Sequence, residues 1–477
     1  MIPIVTSDEM QRFDAALDPA TSMDKAAEGI ARAVEAFIYD HHLPPRVILL
    51  TGKGNNAGDA YTAGCLLLQK GFFVQALSTF SIDHVSPLCR ARHGRFISQK
   101  GQIAFSLPSD MESYSLIIDG LVGTGFQGKA EGPLAHAIDW ANRSGLPIFS
   151  IDIPSGLNGT TGDVATTAIQ ATATLYLGFP KIGFFIGQGW DHVGKLIPVD
   201  IGLPPPQLSI ATLLDPTSLK LPSLKRSRHK YTAGYVLGIA GSPTMPGAAA
   251  LAASGVLHSG AGIVRLLTLP GTPSYPFLPE VIHEDYNLAR IQEESQRAAA
   301  FFVGPGLGRT SEVEKLLYQL LPSLSLPCVL DADALYFLAK NPSWNIPSQT
   351  LLTPHHKEMK ALLQKEPSLE TCQHYAEHHK TTVVLKGAPT IIFHPGKKPL
   401  IIAAGDPGMA TAGTGDVLTG IIAGLLAQKM EPLEAAILGA YLHGRAGELA
   451  AKHLTSYGMI ASDILSYLPE ALKEHCK

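Results

Sequence analysis

The segment 404–427, AGDPGMATAGTGDVLTGIIAGLLA, constrains the fold most, because a glycine-rich turn runs directly into an apolar helix and leaves one acidic residue, Asp416, at the junction. Gly413 and Gly415 let the backbone approach a ligand closely, and the first amides of the helix lack partners within it. Such amides bind anions, so the segment predicts a phosphate site. A carboxylate beside that site suits a base for a hydroxyl or a metal ligand. The alternative is an ordinary helix start, in which Asp416 only complements the helix dipole.

Length and composition favour a globular α/β protein with more than one domain. The chain has 477 residues, of which 45% are hydrophobic and 16% are charged, and this balance argues against disorder. A chain of this length predicts roughly two to four domains. The formal net charge is −4, and the densest basic patch, KRSRHK at 225–230, lies in a predicted linker. We therefore expect no nucleic-acid partner.

The cysteines and the N-terminal residues predict a cytoplasmic protein. The cysteines are widely spaced and show no CxxC pattern, which indicates reduced thiols. They are Cys65, Cys89, Cys328, Cys372 and Cys476. The first residues show no signal-peptide pattern, and no segment has the roughly 18 uninterrupted apolar residues of a membrane span, so we expect no membrane association. The oligomeric state stays open, with a homo-oligomer as one alternative.

In the first half, three predicted strands end in loops rich in glycine, asparagine and aspartate, after two predicted helices within residues 6–39. These segments are RVILLTGKGNNAGD, SLIIDGLVGTGFQG and PIFSIDIPSGLNGTTG, which begin at Arg46, Ser115 and Pro147. The second strand carries Asp119 at its end, and the third is followed by Asp152 and Ser155. Because ligands bind where the loops after parallel strands meet, we expect the three loops to converge. Each loop taken alone is also compatible with ordinary turn chemistry.

Together these segments resemble the NAD(P)H-hydrate epimerase domain of the bifunctional nicotinamide-nucleotide repair enzymes. The resemblance spans about residues 1–210 and rests on GNNAGD, DGLVGTGF, DIPSGL and ATLYLGFPKIG. It implies that Asp152 is an acid/base at C6 of the hydrated nicotinamide and that Asn56, Asp119 and Ser155 ligate potassium. The implied substrate-binding residues are Asn55, Asn56, Ala57, Gly58, Asp59, Gly123, Thr124, Gly125, Phe126, Gln127, Gly128, Lys129 and Asp152. Lys181 is a secondary candidate, for which a solvated surface lysine is the preferred alternative.

The first loop departs from the family pattern at two positions. The family commonly has NNGGDG, whereas this chain has Ala57 and Ala60. We expect the two methyl groups to add bulk where the backbone approaches the ligand. This departure keeps open the alternative of a nucleotide-binding or scaffolding protein whose first half lacks catalysis.

A proline-rich segment separates the two halves. Residues 200–230 contain five prolines and no sustained apolar period, which is typical of a linker or a domain boundary. The predicted domains are 1–215 and 225–477.

The second half again alternates predicted strands and helices, and the strand-like segments end in polar loops. These segments are YVLGIAGS, VRLLTL, AFFVGPGLG, CVLDADAL, TLLTP and the predicted hairpin TVVLKGAPTIIF. Asp331 and Asp333 follow one strand, where either could hold magnesium or cap the next helix. His355 and His356 lack a third metal ligand nearby, so they favour a helix start over a metal site.

This half resembles the ADP- or ATP-dependent NAD(P)H-hydrate dehydratase domain, a ribokinase-like fold, over about residues 225–477. The matching motifs, in the family's order, are GSPTMPGAAALAA, GAGIVR, GPGLG, LDADAL, TPHHKE, LKGAPT and GTGDVLTG. The implied contacts to the S-form hydrate are Ala248, Gly306, His355 and Asp416. The implied nucleotide-binding residues are Lys386, Gly387, Ala388, Pro389, Thr390 and Gly415.

The two resemblances imply two doubly wound α/β domains, a Rossmann-like epimerase (an isomerase) followed by a ribokinase-like dehydratase (a carbon–oxygen lyase). The first would interconvert the R and S hydrates of NADH and NADPH. The second would phosphorylate the C6 hydroxyl of the S form with ADP or ATP and release phosphate, with Asp416 as the base and Mg²⁺ on the nucleotide phosphates. The fused arrangement resembles bacterial members, which use ADP. The alternative enzyme is a vitamin-precursor or sugar kinase with an accessory first half.

Overall fold

The computed structural model describes residues 1–104, 106–108, 113–206, 209–274, 277–347 and 349–475. Contacts between Cα atoms divide the chain into two compact units, residues 2–211 and residues 212–477. The four described cysteines are buried free thiols, and Cys476 lies outside the described residues.

The first unit is a parallel α/β unit. Its strands are β1 (Ile2–Ile4), β2 (Arg46–Thr51), β3 (Phe73–Ser78), β4 (Gln102–Ala104), β5 (Leu116–Gly120), β6 (Ile148–Ile151), β7 (Ala173–Leu177) and β8 (Lys195–Val199). Its helices are α1 (Ser7–Asp14), α2 (Pro19–Asp40), α3 (Asn55–Gln69), α4 (Pro87–Ser98), α5 (Gly132–Arg143) and α6 (Trp190–Val193). Seven strands form one sheet in the order β4-β3-β2-β5-β6-β7-β8, with every pair parallel.

The strand order of this sheet reverses between β2 and β5, which is where a doubly wound sheet opens a crevice for ligands. The apolar strands are buried on both faces, as parallel strands require. Val47 and Leu49 of β2 face a core that contains α2 and α3, and Ile48 and Leu50 face a core that contains α5. Helices on both faces therefore leave only the strand ends open to ligands.

The second unit is also α/β, with a mixed sheet. Its strands are β9 (Ala211–Leu213), β10 (Tyr235–Ile239), β11 (Ile263–Thr268), β12 (Ile282–Asp285), β13 (Ala300–Val303), β14 (Cys328–Leu330), β15 (Thr350–Leu352), β16 (Thr382–Leu385), β17 (Thr390–Phe393) and β18 (Leu400–Ile402). Its helices are α7 (Pro246–His258), α8 (Leu288–Ser295), α9 (Ser311–Leu320), α10 (Asp333–Lys340), α11 (His356–Leu363), α12 (Leu369–His379), α13 (Thr414–Ala427), α14 (Pro432–Leu454) and α15 (Ala461–Lys473). The strand order is β9-β18-β17-β16-β15-β14-β13-β10-β11-β12, and β17 runs antiparallel to both of its neighbours.

Small residues bring helices α7 and α13 into close contact. A Cβ atom on Gly420 would lie 1.9 Å from the carbonyl oxygen of Ala252, and one on Gly255 would lie 2.6 Å from that of Val417. Only glycine permits this approach, because a methyl group would overlap the facing backbone. The small-residue pattern of α7 therefore serves helix packing, and it fixes the position of the helix that carries Asp416.

Most predicted strands are confirmed, including the hairpin of β16 and β17. Residues 200–230 were predicted as a linker or domain boundary, and the division between the two units after residue 211 falls within them. The segment also contains β9, which pairs with β18. Strands β1, β3, β4, β8, β9, β12 and β18 were not predicted. Among the described residues, none of the helices combines the length and the apolar character that crossing a lipid bilayer requires.

Candidate active sites

Asn56 joins the three predicted loops of the first unit. It lies in the first turn of α3, just after the β2 strand end, and its side chain is buried. Its Nδ2 donates to the carbonyl oxygen of Val122 at 3.0 Å and to that of Ile151 at 3.1 Å. The carbonyls belong to the loops after β5 and β6, so the predicted convergence is confirmed.

Asp119 lies at the centre of this junction and is fully buried. Its two carboxylate oxygens accept hydrogen bonds from Ser150 Oγ at 2.9 Å, Ser155 N at 2.9 Å, Ser155 Oγ at 2.6 Å and Leu121 N at 3.2 Å. Burial raises the pKa of Asp119, and these hydrogen bonds oppose the shift. Asn56, Asp119 and Ser155, the predicted potassium ligands, are thus held in one hydrogen-bonded cluster rich in oxygen atoms.

Asp152 follows β6 and forms a buried ion pair with Lys181. The Asp152 backbone has φ +66°, a conformation that non-glycine residues adopt rarely and mainly at constrained sites. Lys181 has 0% exposure, and its Nζ contacts Asp152 Oδ1 and the Leu177 carbonyl oxygen. The preference for a solvated surface lysine was therefore wrong, because the ion pair and the carbonyl satisfy the buried ammonium group.

Two further carboxyl groups interact electrostatically with Asp152. Asp59 is buried on α3, and its pKa is raised well above the usual range by burial and by the charges of Asp152 and Asp14, against the effect of Arg92. Partial burial and the charge of Asp152 raise the pKa of Asp14 to about 6, against the effect of Lys181. Sequence reasoning missed Asp14, because it lies at the end of α1 outside every motif.

The glycine loop 123–129 lies against Asn56. A Cβ atom on Gly123 would lie 3.2 Å from Asn56 Oδ1, and the Thr124 carbonyl oxygen accepts a hydrogen bond of 2.9 Å from Gln11 of α1. The rest of the predicted set in this loop is partly or fully exposed, namely Thr124, Gly125, Phe126, Gln127, Gly128 and Lys129. Asn55 is exposed as well, at the start of α3. The side chains of Gln127 and Lys129 are therefore accessible to a ligand, whereas the Phe126 amide donates to the Gly123 carbonyl oxygen at 3.0 Å and the Phe126 ring packs against a core.

Ala57 and Ala60 do not point towards the loop. Both are fully buried in the core between α3 and the sheet. The Cβ atom of Ala60 would lie 2.7 Å from a Cβ placed on Gly120, so it fills the space beside the β5 backbone. The expectation that these methyl groups add bulk beside the ligand was wrong, because the helix turns them inward.

In the second unit, the predicted turn and helix around Asp416 are confirmed. Helix α13 begins at Thr414, and Gly413 caps it with φ +95°. The turn is held by Thr414 Oγ1, which donates to the carbonyl oxygens of Met409 and Thr411 at 3.1 Å each. His443 Nε2 lies 2.8 Å from the Thr414 carbonyl oxygen. The first amides of α13 are therefore presented by a fixed turn.

Asp416 lies near a buried ion pair of Lys386 and Asp331. Lys386 Nζ is 2.7 Å from Asp331 Oδ1, and it would be 3.2 Å from a Cβ placed on Gly415. Burial and the charge of Asp331 raise the pKa of Asp416 to about 7, and Lys386 opposes the shift. A carboxyl group that titrates near neutrality suits a general base.

The remaining predicted residues lie around this centre. The Lys386 amide donates to the Pro354 carbonyl oxygen at 2.8 Å, which places the hairpin 386–390 beside His355. His355 caps α11 by accepting from the Lys357 and Glu358 amides, so the predicted helix start is confirmed. Within the hairpin, Gly387 and Ala388 are exposed, Thr390 is partly buried and Pro389 is buried.

Gly306 and Ala248, two of the predicted substrate contacts, lie against each other. Gly306 has φ +66°, and a Cβ there would lie 3.0 Å from the Ala248 Cβ and 2.5 Å from the Met245 carbonyl oxygen. A Cβ on Gly413 would lie 2.4 Å from Leu251, one turn after Ala248 on α7. Ala248 and Gly306 therefore lie near the turn that precedes Asp416.

The acidic residues proposed as magnesium ligands are occupied by protein partners. Asp331 accepts from Lys386 and from Thr419 Oγ1 at 2.7 Å, and Asp333 accepts from Gly308 N at 2.7 Å and Arg309 Nε at 3.0 Å. Within the part of the chain that the structure describes, no three His, Cys, Asp or Glu side chains form a metal cluster. This pair does not fit a protein-bound Mg²⁺.

Comparison with known proteins identifies relatives of both units. Residues 236–470 match the model of a family described as NAD(P)H-hydrate dehydratase, and residues 20–183 match one described as YjeF-related protein N-terminus. A protein of Moorella thermoacetica named bifunctional NAD(P)H-hydrate repair enzyme Nnr is 33% identical, over 98% of this chain and 96% of its own. The protein of the same name from Vibrio cholerae is 38% identical, over 76% of this chain and 75% of its own.

A solved structure supports the fold of the second unit. A ribokinase-like superfamily protein of Enterococcus faecalis V583 is 29% identical and aligns with 56% of this chain and 96% of its own, with a TM-score of 0.52. The predicted fold class of two doubly wound α/β domains, the second ribokinase-like, is confirmed.

Proposed function

Because this chain belongs to the family of bifunctional NAD(P)H-hydrate repair enzymes, we propose that it restores hydrated NADH and NADPH by epimerisation followed by nucleotide-dependent dehydration. The observation that carries the proposal is the position of Asp416, a half-buried carboxyl group with a pKa of about 7 at the start of α13. A carboxyl group that can act as a base, the amides at the start of a helix and the ammonium group of Lys386 lie close together there.

The second unit would carry out the dehydration. Hydroxide is a poor leaving group, so Asp416 would take the proton of the C6 hydroxyl as the hydroxyl attacks the terminal phosphoryl group of ADP, whose bond to the α-phosphate breaks and releases AMP. The amides of residues 413–415 and Lys386 would stabilise the charge on that group. Phosphate would then leave C6 and a proton would leave C5, which restores the dihydronicotinamide. Ala248, Gly306 and His355 would contact the S hydrate, and the hairpin 386–390 with Gly415 would bind the nucleotide.

Mg²⁺ would enter with the nucleotide phosphates. The carboxylates of Asp331 and Asp333 are occupied by protein partners, so neither is assigned as its ligand. We favour ADP as the co-substrate, with ATP as the alternative.

The first unit would interconvert the R and S hydrates. Asp152 would act as the acid/base at C6, while Asn55 and Asn56 at the start of α3 and loop residues 123–129 would hold the nucleotide. Oxygen atoms of Asn56, Asp119 and Ser155 would hold a potassium ion, which would supply a positive charge to the site. Because these enzymes act on coenzymes of central metabolism and the described cysteines are free thiols, we place the activity in the cytoplasm.

The test supplies a mixture of R and S hydrates of NADH with Mg²⁺, K⁺ and either ADP or ATP, and follows the near-ultraviolet absorbance of the dihydronicotinamide. Complete recovery faster than spontaneous epimerisation supports both activities. Recovery that stops at the S fraction removes the epimerase from the proposal. A stable phosphorylated product would instead identify the kinase alternative.

Two matched variants assign each step to its unit. Asp152→Asn is expected to leave recovery of the S fraction intact and to abolish recovery of the R fraction. Asp416→Asn is expected to abolish both recoveries while R and S still interconvert. If Asp152→Asn stops dehydration of the S form, the assignment of the two steps to the two units is wrong.

A further inference from the structure

Lys181 is unusual because its whole side chain is buried beside an acidic group. It follows β7 in the segment GFPKIG and has 0% exposure. Lysine is almost never fully buried unless its charge is paired, since water solvates the ammonium group strongly. Here the pairing comes from Asp152 Oδ1 and from the Leu177 carbonyl oxygen, which lies 3.3 Å away. The ammonium is therefore fixed at one place behind the Asp152 carboxylate.

Asp152 uses only one of its two carboxylate oxygens in these contacts. Oδ1 accepts from Lys181 and from the Leu177 amide, the latter at 3.3 Å. Within the described residues, Oδ2 takes part in no hydrogen bond. The backbone is fixed as well, by a 2.8 Å hydrogen bond from the Asp152 amide to the Leu175 carbonyl oxygen. One oxygen is thus anchored, and the other is left for a ligand.

Several charged groups from neighbouring elements act on this carboxylate. Asp14 of α1 and Asp59 of α3 interact with Asp152: burial and the charge of Asp152 raise the pKa of Asp14 to about 6 and that of Asp59 well above its usual range. Arg92 of α4 acts on Asp59 in the opposite direction. Within the described residues, the ammonium of Lys181 is the cation in direct contact with the Asp152 carboxyl group.

We propose that Lys181 is the positioning residue of the epimerase unit, which anchors Asp152 through Oδ1 and leaves Oδ2 for the substrate. This inference rests on the proposed function. Oδ2 takes the proton of the C6 hydroxyl, and the C6–N1 bond breaks with its electron pair moving to N1. The resulting aldehyde rotates about C5–C6, N1 adds to the other face of C6, and Asp152 returns the proton to oxygen.

A purely structural role for Lys181 makes a different prediction. If the lysine only filled a buried position, its replacement would lower the amount of folded enzyme and would reduce the rate equally at every pH. A role through Asp152 instead changes the pH dependence, because a carboxylate that has lost its counter-ion takes up a proton at higher pH. The pH profile of epimerisation therefore separates the two roles.

The experiment uses the full chain. Conversion of the R hydrate to the S hydrate is followed without ADP by chromatographic separation of the two forms, so that dehydration does not contribute, and recovery of NADH from the S hydrate with ADP at one fixed pH in the same preparation reports folding. Lys181→Met removes the charge at similar length, and Lys181→Arg keeps the charge with a different shape. Each variant is measured from pH 5 to 9 with kcat and KM separated.

For Lys181→Met we expect kcat for the R hydrate to fall about tenfold or more at neutral pH. The acid limb of the profile of kcat against pH should move to higher pH, and part of the rate should return in alkaline buffer. KM should change little. Lys181→Arg should lower kcat without moving the acid limb. A Lys181→Met profile parallel to that of the unmodified enzyme, or a displaced limb in Lys181→Arg, would overturn the proposal.

This experiment distinguishes failure of the proposed epimerase function from failure of the proposed role of Lys181. If the unmodified protein does not convert the R hydrate at any pH, the proposed function of the first unit fails, and this inference fails with it. If conversion occurs and the profiles coincide, only the role of Lys181 is lost. Should Lys181→Met not fold, the double variant Lys181→Met/Asp152→Asn removes both charges, and recovery of S-hydrate activity in it would show that the unpaired Asp152 charge caused the failure.

Discussion

Lys386 Nζ lies 2.7 Å from Oδ1 of Asp331, whose other oxygen accepts a 2.7 Å hydrogen bond from Thr419 of the Asp416 helix. Burial lowers the pKa of Lys386, but the charges of Asp331 and Glu358 outweigh this effect and raise it overall. Lys386 is therefore a cation at neutral pH. Asp331 holds that cation beside Gly415 and Asp416.

Replacement of Asp416 by asparagine tests the base directly. Asp416→Asn keeps the size and polarity of the side chain but cannot accept a proton, so dehydration is expected to fall by about 10²-fold or more while the ADP dissociation constant changes little. Asp463→Asn is the matched control, because Asp463 is also a first-turn acid, on α15. Near-normal turnover of Asp416→Asn, or an equal loss in Asp463→Asn, would favour the plain helix-start interpretation.

The pH dependence of dehydration should follow the ionisation of Asp416. Its pKa of about 7 lies above the usual value because of burial and Asp331, and a base must be ionised, so the rate should fall about tenfold per pH unit below 7. The two neighbours act in opposite directions. Lys386→Met should move the acid limb to higher pH, and Asp331→Asn should move it to lower pH, both at saturating ADP. Shifts of the same sign would contradict this electrostatic account.

The elements were largely predictable, whereas the pairing of side chains was not. Strand ends with glycine and aspartate located Asp119 and Asp152, because the αβ repeat fixes where such loops meet. The glycine-rich turn before an apolar helix located Asp416. The burial of Lys181 could not be predicted, since a lysine in a short motif looks the same whether it faces water or a carboxylate. Asp14 was missed for a similar reason. Its interaction with Asp152 depends on where α1 packs, and no local pattern encodes that.

Ala57 and Ala60 are a second case in which a local sequence pattern did not predict the surroundings of a side chain. A comparison of motifs placed their methyl groups beside the ligand, but both lie in the core of the first unit. Changing both to glycine should destabilise the unit by about 1–2 kcal/mol per site, from lost apolar burial and added freedom of the unfolded helix. Nucleotide binding should not improve.

The measurement for this pair is epimerase activity after incubation in increasing urea, with dehydratase activity in the same samples as the control. The epimerase midpoint of the double variant should fall, and the dehydratase midpoint should stay. The prediction fails if the glycine variant binds the hydrate more tightly at an unchanged urea midpoint. That result would mean that the methyl groups restrict the site after all.

His443 of α14 supports the turn before Asp416. Burial, with a smaller effect of Lys386, lowers the pKa of His443 to about 4, against the effect of its bond to Thr414, so the ring is neutral at working pH. The Thr414 carbonyl oxygen can only accept, and the 2.8 Å contact therefore assigns the proton to Nε2. His443→Leu removes this hydrogen bond, which ties α14 to the first residue of α13. We expect dehydration to fall about tenfold with weaker ADP binding, because the amides of the turn lose their fixed position.

The loss in His443→Leu should be the same from pH 6 to pH 9, since a group that stays neutral over this range cannot add a titration of its own. His443→Gln, which retains an N–H donor, should recover part of the activity. His453→Leu, on the same helix but stacked on Tyr467, is the matched control and should remain active. A pH-dependent loss in His443→Leu would mean that the imidazole exchanges protons during the reaction, and an unaltered rate would mean that Thr414 Oγ1 alone holds the turn.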